Sequence, residues 1–175
     1  MAEQERFKIV IVGNASVGKT SIKSTYLGLD YVDNYHMTLG VEIGMKLFGK
    51  HQLHLFDIGG QSGFSMAEYF SGAHGAVLVF DVTNRESFDA VGQWVEILSS
   101  RIGHMVPAVL VGNKSDLRGF GDVGHISIEE ASVKSQVLSQ NTIYEIPYFE
   151  TSAKTGLNID HLFEFLTASM RTYYH

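Results

Sequence analysis

The sequence predicts an α/β fold, a mostly parallel six-stranded sheet with helices on its faces and one antiparallel strand at its edge. Three observations lead there. Short apolar runs alternate along the chain with stretches whose apolar residues recur at helical period. One pair of runs, 41–48 and 52–56, is joined by Gly49-Lys50, and Val41, Ile43, Met45 and Leu47 alternate with Glu42, Gly44 and Lys46; this is a hairpin, and so an antiparallel pair. The first run, 7–12, ends in a glycine-bounded loop that opens directly into a helical stretch.

Taken in order, the strands are expected at 7–12, 41–48, 52–56, 76–81, 108–112 and 148–151. Those outside the hairpin are continuous Val/Ile/Leu/Phe-rich runs, as expected of parallel strands buried on both faces. Between them a helix carries Phe88, Val91, Val95 and Leu98, and another starts at Ser127, which has capping-box spacing to Glu130. In the last helix Ile159, Leu162, Phe163, Leu166 and Met170 form a stripe that should pack on the sheet. The stretch 117–124 holds three glycines and reads as a mobile loop within one domain.

Bulk properties narrow the function. The 175 residues, 45% of them hydrophobic, suit a single domain, 1–175. A net charge of -6, with 13 basic against 19 acidic residues, argues against a nucleic acid polymer as partner. With no cysteine there is no disulfide, thiolate metal site or cysteine-linked lipid anchor in this chain, and no apolar run reaches the ~18 residues of a membrane span. A soluble, cytoplasmic protein is expected. His51 and His54 fall on opposite strand faces, which argues against a second metal site.

Three segments carry chemistry. Gly13-Asn14-Ala15-Ser16-Val17-Gly18-Lys19-Thr20 lies between a strand and a helix, where backbone N–H groups can curl inward around phosphates. Lys19 would bring a cation to the β/γ oxygens, Thr20 a hydroxyl for Mg2+, and the helix its positive end. After the fifth strand comes Asn113-Lys114-Ser115-Asp116. A carboxylate only accepts hydrogen bonds, so Asp116 suits the N1–H and N2 amino donors of guanine and repels the bare N1 of adenine. The Lys114 stem can lie over the base, and Asn113 can tie this loop to the phosphate loop. The third segment, Glu150-Thr151-Ser152-Ala153-Lys154, follows the last strand, where the Ala153 amide could face guanine O6.

Together these segments resemble the Ras superfamily of small GTPases, and the likeness spans nearly the whole chain. The runs 75–83 and 86–88 lean toward its Rab-like branch. The resemblance implies the P-loop NTPase fold, a three-layer α/β/α sandwich with about five helices, and a GTP/GDP switch with slow GTP hydrolysis. It also implies Mg2+ held by Thr20, Thr38 and Asp57, and a catalytic pair of Gln61, which orients the attacking water, and Lys19. On the same footing Gly13, Ala15, Ser16, Val17, Gly18, Thr20, Ser21, Tyr31, Tyr35, Thr38, Gly60, Asn113, Lys114, Asp116, Ser152, Ala153 and Lys154 join Lys19 as nucleotide-binding residues. Loss of the γ-phosphate would release Thr38 and Gly60, relaxing two switch segments. Effectors, exchange factors and GTPase-activating proteins are the partners the family implies, with membrane association only through parts absent from this chain. Gly59 and Ser62-Gly63 depart from the family pattern, and they motivate a rival reading, a GTP-binding scaffold with little or no hydrolysis.

Overall fold

A computed structural model describes residues 5–29, 38, 40–59, 67–119 and 124–175. Six strands, β1 (Glu5–Val12), β2 (Val41–Phe48), β3 (His51–Ile58), β4 (Gly75–Asp81), β5 (Ala108–Asn113) and β6 (Tyr148–Glu150), form one sheet in the order β2-β3-β1-β4-β5-β6. Five run parallel, while β2 pairs antiparallel with β3 at the edge, from Val41 opposite Ile58 to Phe48 opposite His51. The predicted hairpin and its two-residue turn are therefore present, with β3 longer at both ends than expected.

The described helices are α1 (Lys19–Leu27), α2 (Ala67–Phe70), α3 (Arg85–Asp89), α4 (Val91–Ile102), α5 (Ile128–Gln140) and α6 (Ile159–Tyr174). The expected single helix through Phe88 and Val95 is interrupted at Ala90, which ends α3 and begins α4 while keeping helical backbone angles. Asn84 caps α3 through Ser87 N–H, and Ser127 and Glu130 make the full capping box of α5. The four-residue α2 is too short to leave a periodic signal. Of the expected loop at 117–124, residues 120–123 lie outside the described residues, and Leu117 ends a short 3-10 turn.

Strand periodicity divides the core in two. In β1, Ile9 and Ile11 face α1 and α6, whereas Val10 and Val12 face the side covered by α3, α4 and α5. β4 splits likewise, with Val77 and Val79 on one side and Ala76, Leu78 and Phe80 on the other. That is why both strands read as unbroken apolar runs. The α6 stripe, Ile159, Leu162, Phe163, Leu166 and Met170, is buried throughout, and Phe163 stacks on Tyr26 of α1 at 3.9 Å. β6 differs from the expectation of full burial: as the other edge strand it is only half buried.

β2 shows what alternation cannot decide. Ile43, Met45 and Leu47 are more than half exposed, while Glu42, Gly44 and Lys46 face α1. The register sets Glu42 beside Asp57, and the Lys23 ammonium reaches down to them from α1. A partner helix, not hydropathy, selected the covered face of this strand.

Candidate functional site

The candidate loops after β1, β5 and β6 leave the carboxyl end of the sheet, the edge where ligands sit in open parallel sheets. The loop after β1 is shaped by its two glycines. Gly13 has φ +148°, and a Cβ there would lie 2.1 Å from the Val79 carbonyl oxygen; Gly18 has φ +97°, and its Cβ would lie 2.2 Å from Asn113 Nδ2. Side chains at either position would both strain the backbone and collide with a neighbouring strand end. Ser16 adds a third left-handed residue, at φ 65°. α1 then starts with no side-chain cap, so its first amide N–H groups, at the positive end of the helix, are left for an anion.

Lys19 folds back over this loop. Its ammonium donates to the carbonyls of Gly13 at 2.9 Å and Asn14 at 2.8 Å, and the residue is only 5% exposed. Burial pulls its pKa down to about 8, against the attraction of Asp57. A cation held in so dry a place is a strong attractor for polyphosphate.

Three oxygens converge beside it. The Thr20 hydroxyl donates to Asp57 Oδ2 and lies 2.9 Å from Thr38 Oγ1. Asp57 is fully buried in β3, and its Oδ1 has no hydrogen-bond partner among the described residues. Burial pushes the Asp57 carboxyl above the usual carboxylate range, while the Thr20 hydroxyl and then Lys23 and Lys19 hold it down. A desolvated carboxylate with a spare oxygen, flanked by two hydroxyls, is an all-oxygen donor set suited to a hard cation such as Mg2+.

The second loop is bound to the first. Asn113 Nδ2 donates to the Val17 carbonyl at 3.0 Å, and Asn113 Oδ1 accepts from Thr151 Oγ1 at 3.2 Å and from the Ala153 amide at 3.1 Å. One buried amide side chain thus joins three loops. The Ala153 N–H, expected to face a base, is already partnered here. Lys114, at φ 67°, sends its ammonium 2.6 Å from Asp81 Oδ2, while Asp81 Oδ1 takes the Thr83 amide and hydroxyl. Ser152 Oγ donates to Asp116 Oδ1 at 2.6 Å, aiming the carboxylate. Thr25 of α1 donates to the Ala153 carbonyl at 2.8 Å and closes the ring of contacts.

Of the other sequence candidates, Ala15 and Ser21 are half buried, Ser16 and Lys154 are exposed, and Tyr31, Tyr35, Gly60 and Gln61 lie outside the described residues. Three contributors escaped sequence reasoning: the Ser152 hydroxyl as the support of Asp116, Trp94, whose Nε1 donates to Asn14 Oδ1 at 3.0 Å, and Lys23. Only Lys23 left a signal, since a lysine one turn after Lys19 shares its helix face.

The Ras family sequence model matches residues 8–172. The chain is 34% identical over 172 residues to the Ras-related proteins RABD2b and RABD2c of Arabidopsis thaliana, covering 95% of this chain and 81% of each relative. It is likewise 34% identical over 171 residues to the GTP-binding protein YPTM1 of Zea mays, covering 94% of this chain and 78% of that one.

Proposed function

The chain is a Rab-like member of the Ras family of small GTPases, and we propose that it works as a guanine-nucleotide switch built on the pocket just described. One observation carries the reading: the loop holding Asp116 is hydrogen-bonded through Asn113 to the loop holding Lys19, so base and phosphates would be gripped by one rigid unit.

The inward amides of 13–18 and the Lys19 ammonium would hold the β- and γ-phosphates, with Asp116 pairing guanine N1–H and N2. Thr20, Thr38 and Asp57 would hold Mg2+, which when bound neutralises phosphate charge. Gln61 is assigned, on the family pattern, to orient the attacking water, so that catalysis is mainly positioning. Thr38 and Gly60 would lose their partner when the γ-phosphate leaves, and the surrounding segments would relax. Effectors would read the triphosphate form, and exchange and activating proteins would set its lifetime. We assign its work to the cytoplasm and the cytosolic face of membranes, where GTP and GDP circulate.

Two measurements test this. Calorimetry with Mg2+ present should give tight binding of GDP and GTP and none of ADP and ATP; equal binding of both purines overturns the recognition argument. Single-turnover hydrolysis should be slow, accelerated ~10³–10⁵-fold by a matched activating protein, and largely unresponsive to that protein in Gln61→Leu. A chain that keeps its triphosphate after prolonged incubation would instead be a binding scaffold.

A further inference from the structure

Lys23 is a lysine only 5% exposed, so its charge needs a partner. It has two. Its Nζ lies 2.7 Å from Glu42 Oε2 and 3.8 Å from Asp57 Oδ2. Glu42 and Asp57 are directly opposed in the β2–β3 ladder, so their side chains leave the same sheet face and would repel without a cation between them. Asp57 is wholly buried, whereas the Glu42 side chain is 54% exposed. The stronger hold on Lys23 thus belongs to the carboxylate nearer water, and the weaker to the one proposed for the metal.

We propose that Lys23 is an internal counter-cation that sets how tightly a divalent cation is held at Asp57, with Glu42 drawing it partly away. The inference rests on the reading of Asp57 as part of the metal site. A unit positive charge beside a buried carboxylate weakens that carboxylate's pull on any second cation, the more so where water is excluded. Glu42 limits the effect by sharing the ammonium. Without Glu42 the ammonium keeps Asp57 as its partner among the described residues; without Lys23, Asp57 acts on the metal unopposed.

The two single substitutions therefore push in opposite directions. Mg2+ is titrated calorimetrically into the GDP-bound protein, with GDP release followed in parallel by a fluorescent analogue. Lys23→Met should bind Mg2+ at least about fivefold more tightly and release GDP more slowly; Glu42→Gln should bind it more weakly and release GDP faster. The double variant should follow Lys23→Met, because Glu42 acts through the lysine. Shifts in the same direction, or no shift beyond twofold in either, overturn the proposal. Should Lys23→Met fail to fold, Glu42→Gln, altered at a half-exposed position, decides alone. Asp57→Asn separates the two levels: unchanged Mg2+ affinity there removes the metal reading itself, whereas a loss there with silent Lys23 and Glu42 variants removes only the counter-cation.

Discussion

Trp94 and Asn14 are 80 residues apart in the chain, and the indole N–H of one donates to the side-chain oxygen of the other at 3.0 Å. Asn14 in turn offers its carbonyl to the Lys19 ammonium at 2.8 Å, so α4 braces the phosphate loop at the residue that holds its cation. Trp94→Phe keeps an aromatic ring in the apolar seat and deletes the donor together with part of the indole's volume. Leaving Asn14 Oδ1 unpaired costs about 1–3 kcal/mol, so GDP affinity should fall at least about fivefold. Trp94 is the chain's single tryptophan, which also makes it a reporter. Its emission should change as GDP is titrated in, and Asn14→Ala should flatten that response. Unaltered affinity with a flat emission trace would show that the contact plays no part in binding.

Purine choice is predicted to rest on Asp116 as aimed by Ser152. Asp116→Asn should weaken GDP and favour xanthosine diphosphate, whose base presents an acceptor where guanine presents a donor. Ser152→Ala should be milder, losing about 1 kcal/mol of guanine affinity while keeping the preference over adenine. Competition binding with the three diphosphates checks both; a Ser152→Ala protein indistinguishable from its parent would remove the hydroxyl from recognition.

Binding should also depend on pH with a defined sign. Burial places the Lys19 pKa near about 8, below its ordinary 10.5, so the ligand-free protein releases that proton as pH rises past 8. A polyphosphate holds the proton on, so binding takes one up, and GDP affinity should weaken above about pH 8 by up to about tenfold per unit. The ligand-free fold should gain stability over the same interval toward pH 10.5, because there the unfolded chain binds a proton the folded one has lost. Both slopes are measured with a chelator present and compared with Lys19→Met, in which the share of each that Lys19 contributes should be lost.

Core contacts far from the pocket should affect stability alone. Leu166 is fully buried in the α6 stripe beneath the sheet, and Leu166→Ala should cost about 2–5 kcal/mol, lowering the melting temperature by roughly 5–15 °C. Guanine selectivity of the folded fraction should be unchanged. Thermal melts and nucleotide competition on the same sample give both numbers.

Much of this was readable in advance because it is local. Gly13 and Gly18 were marked as loop ends, and the structure adds the collisions that forbid anything larger. The helical stripe on α6 and the capping box at Ser127 arise from neighbours three to four residues apart, and both are present as expected. What went unread depends on partners distant in sequence. The Ala153 amide donates to Asn113, 40 residues away. Ser152 supports Asp116 across 36 residues.

The chain order of residues, through turn chemistry and periodicity, determined the glycine-bounded loop after β1, the strand sequence and the Asn113–Asp116 segment, because each is encoded in contiguous residues whose backbone or spacing admits few conformations. Tertiary structure alone decided which face of β2 is covered, that Asn113, expected to tie its loop to the one after β1, also holds the loop of Thr151 and Ala153, and that a buried Lys23 stands between Glu42 and Asp57. Those contacts come from strand register and from helices laid across the sheet, and a side chain's electrostatic role is set by what the folded chain brings within a few ångströms of it.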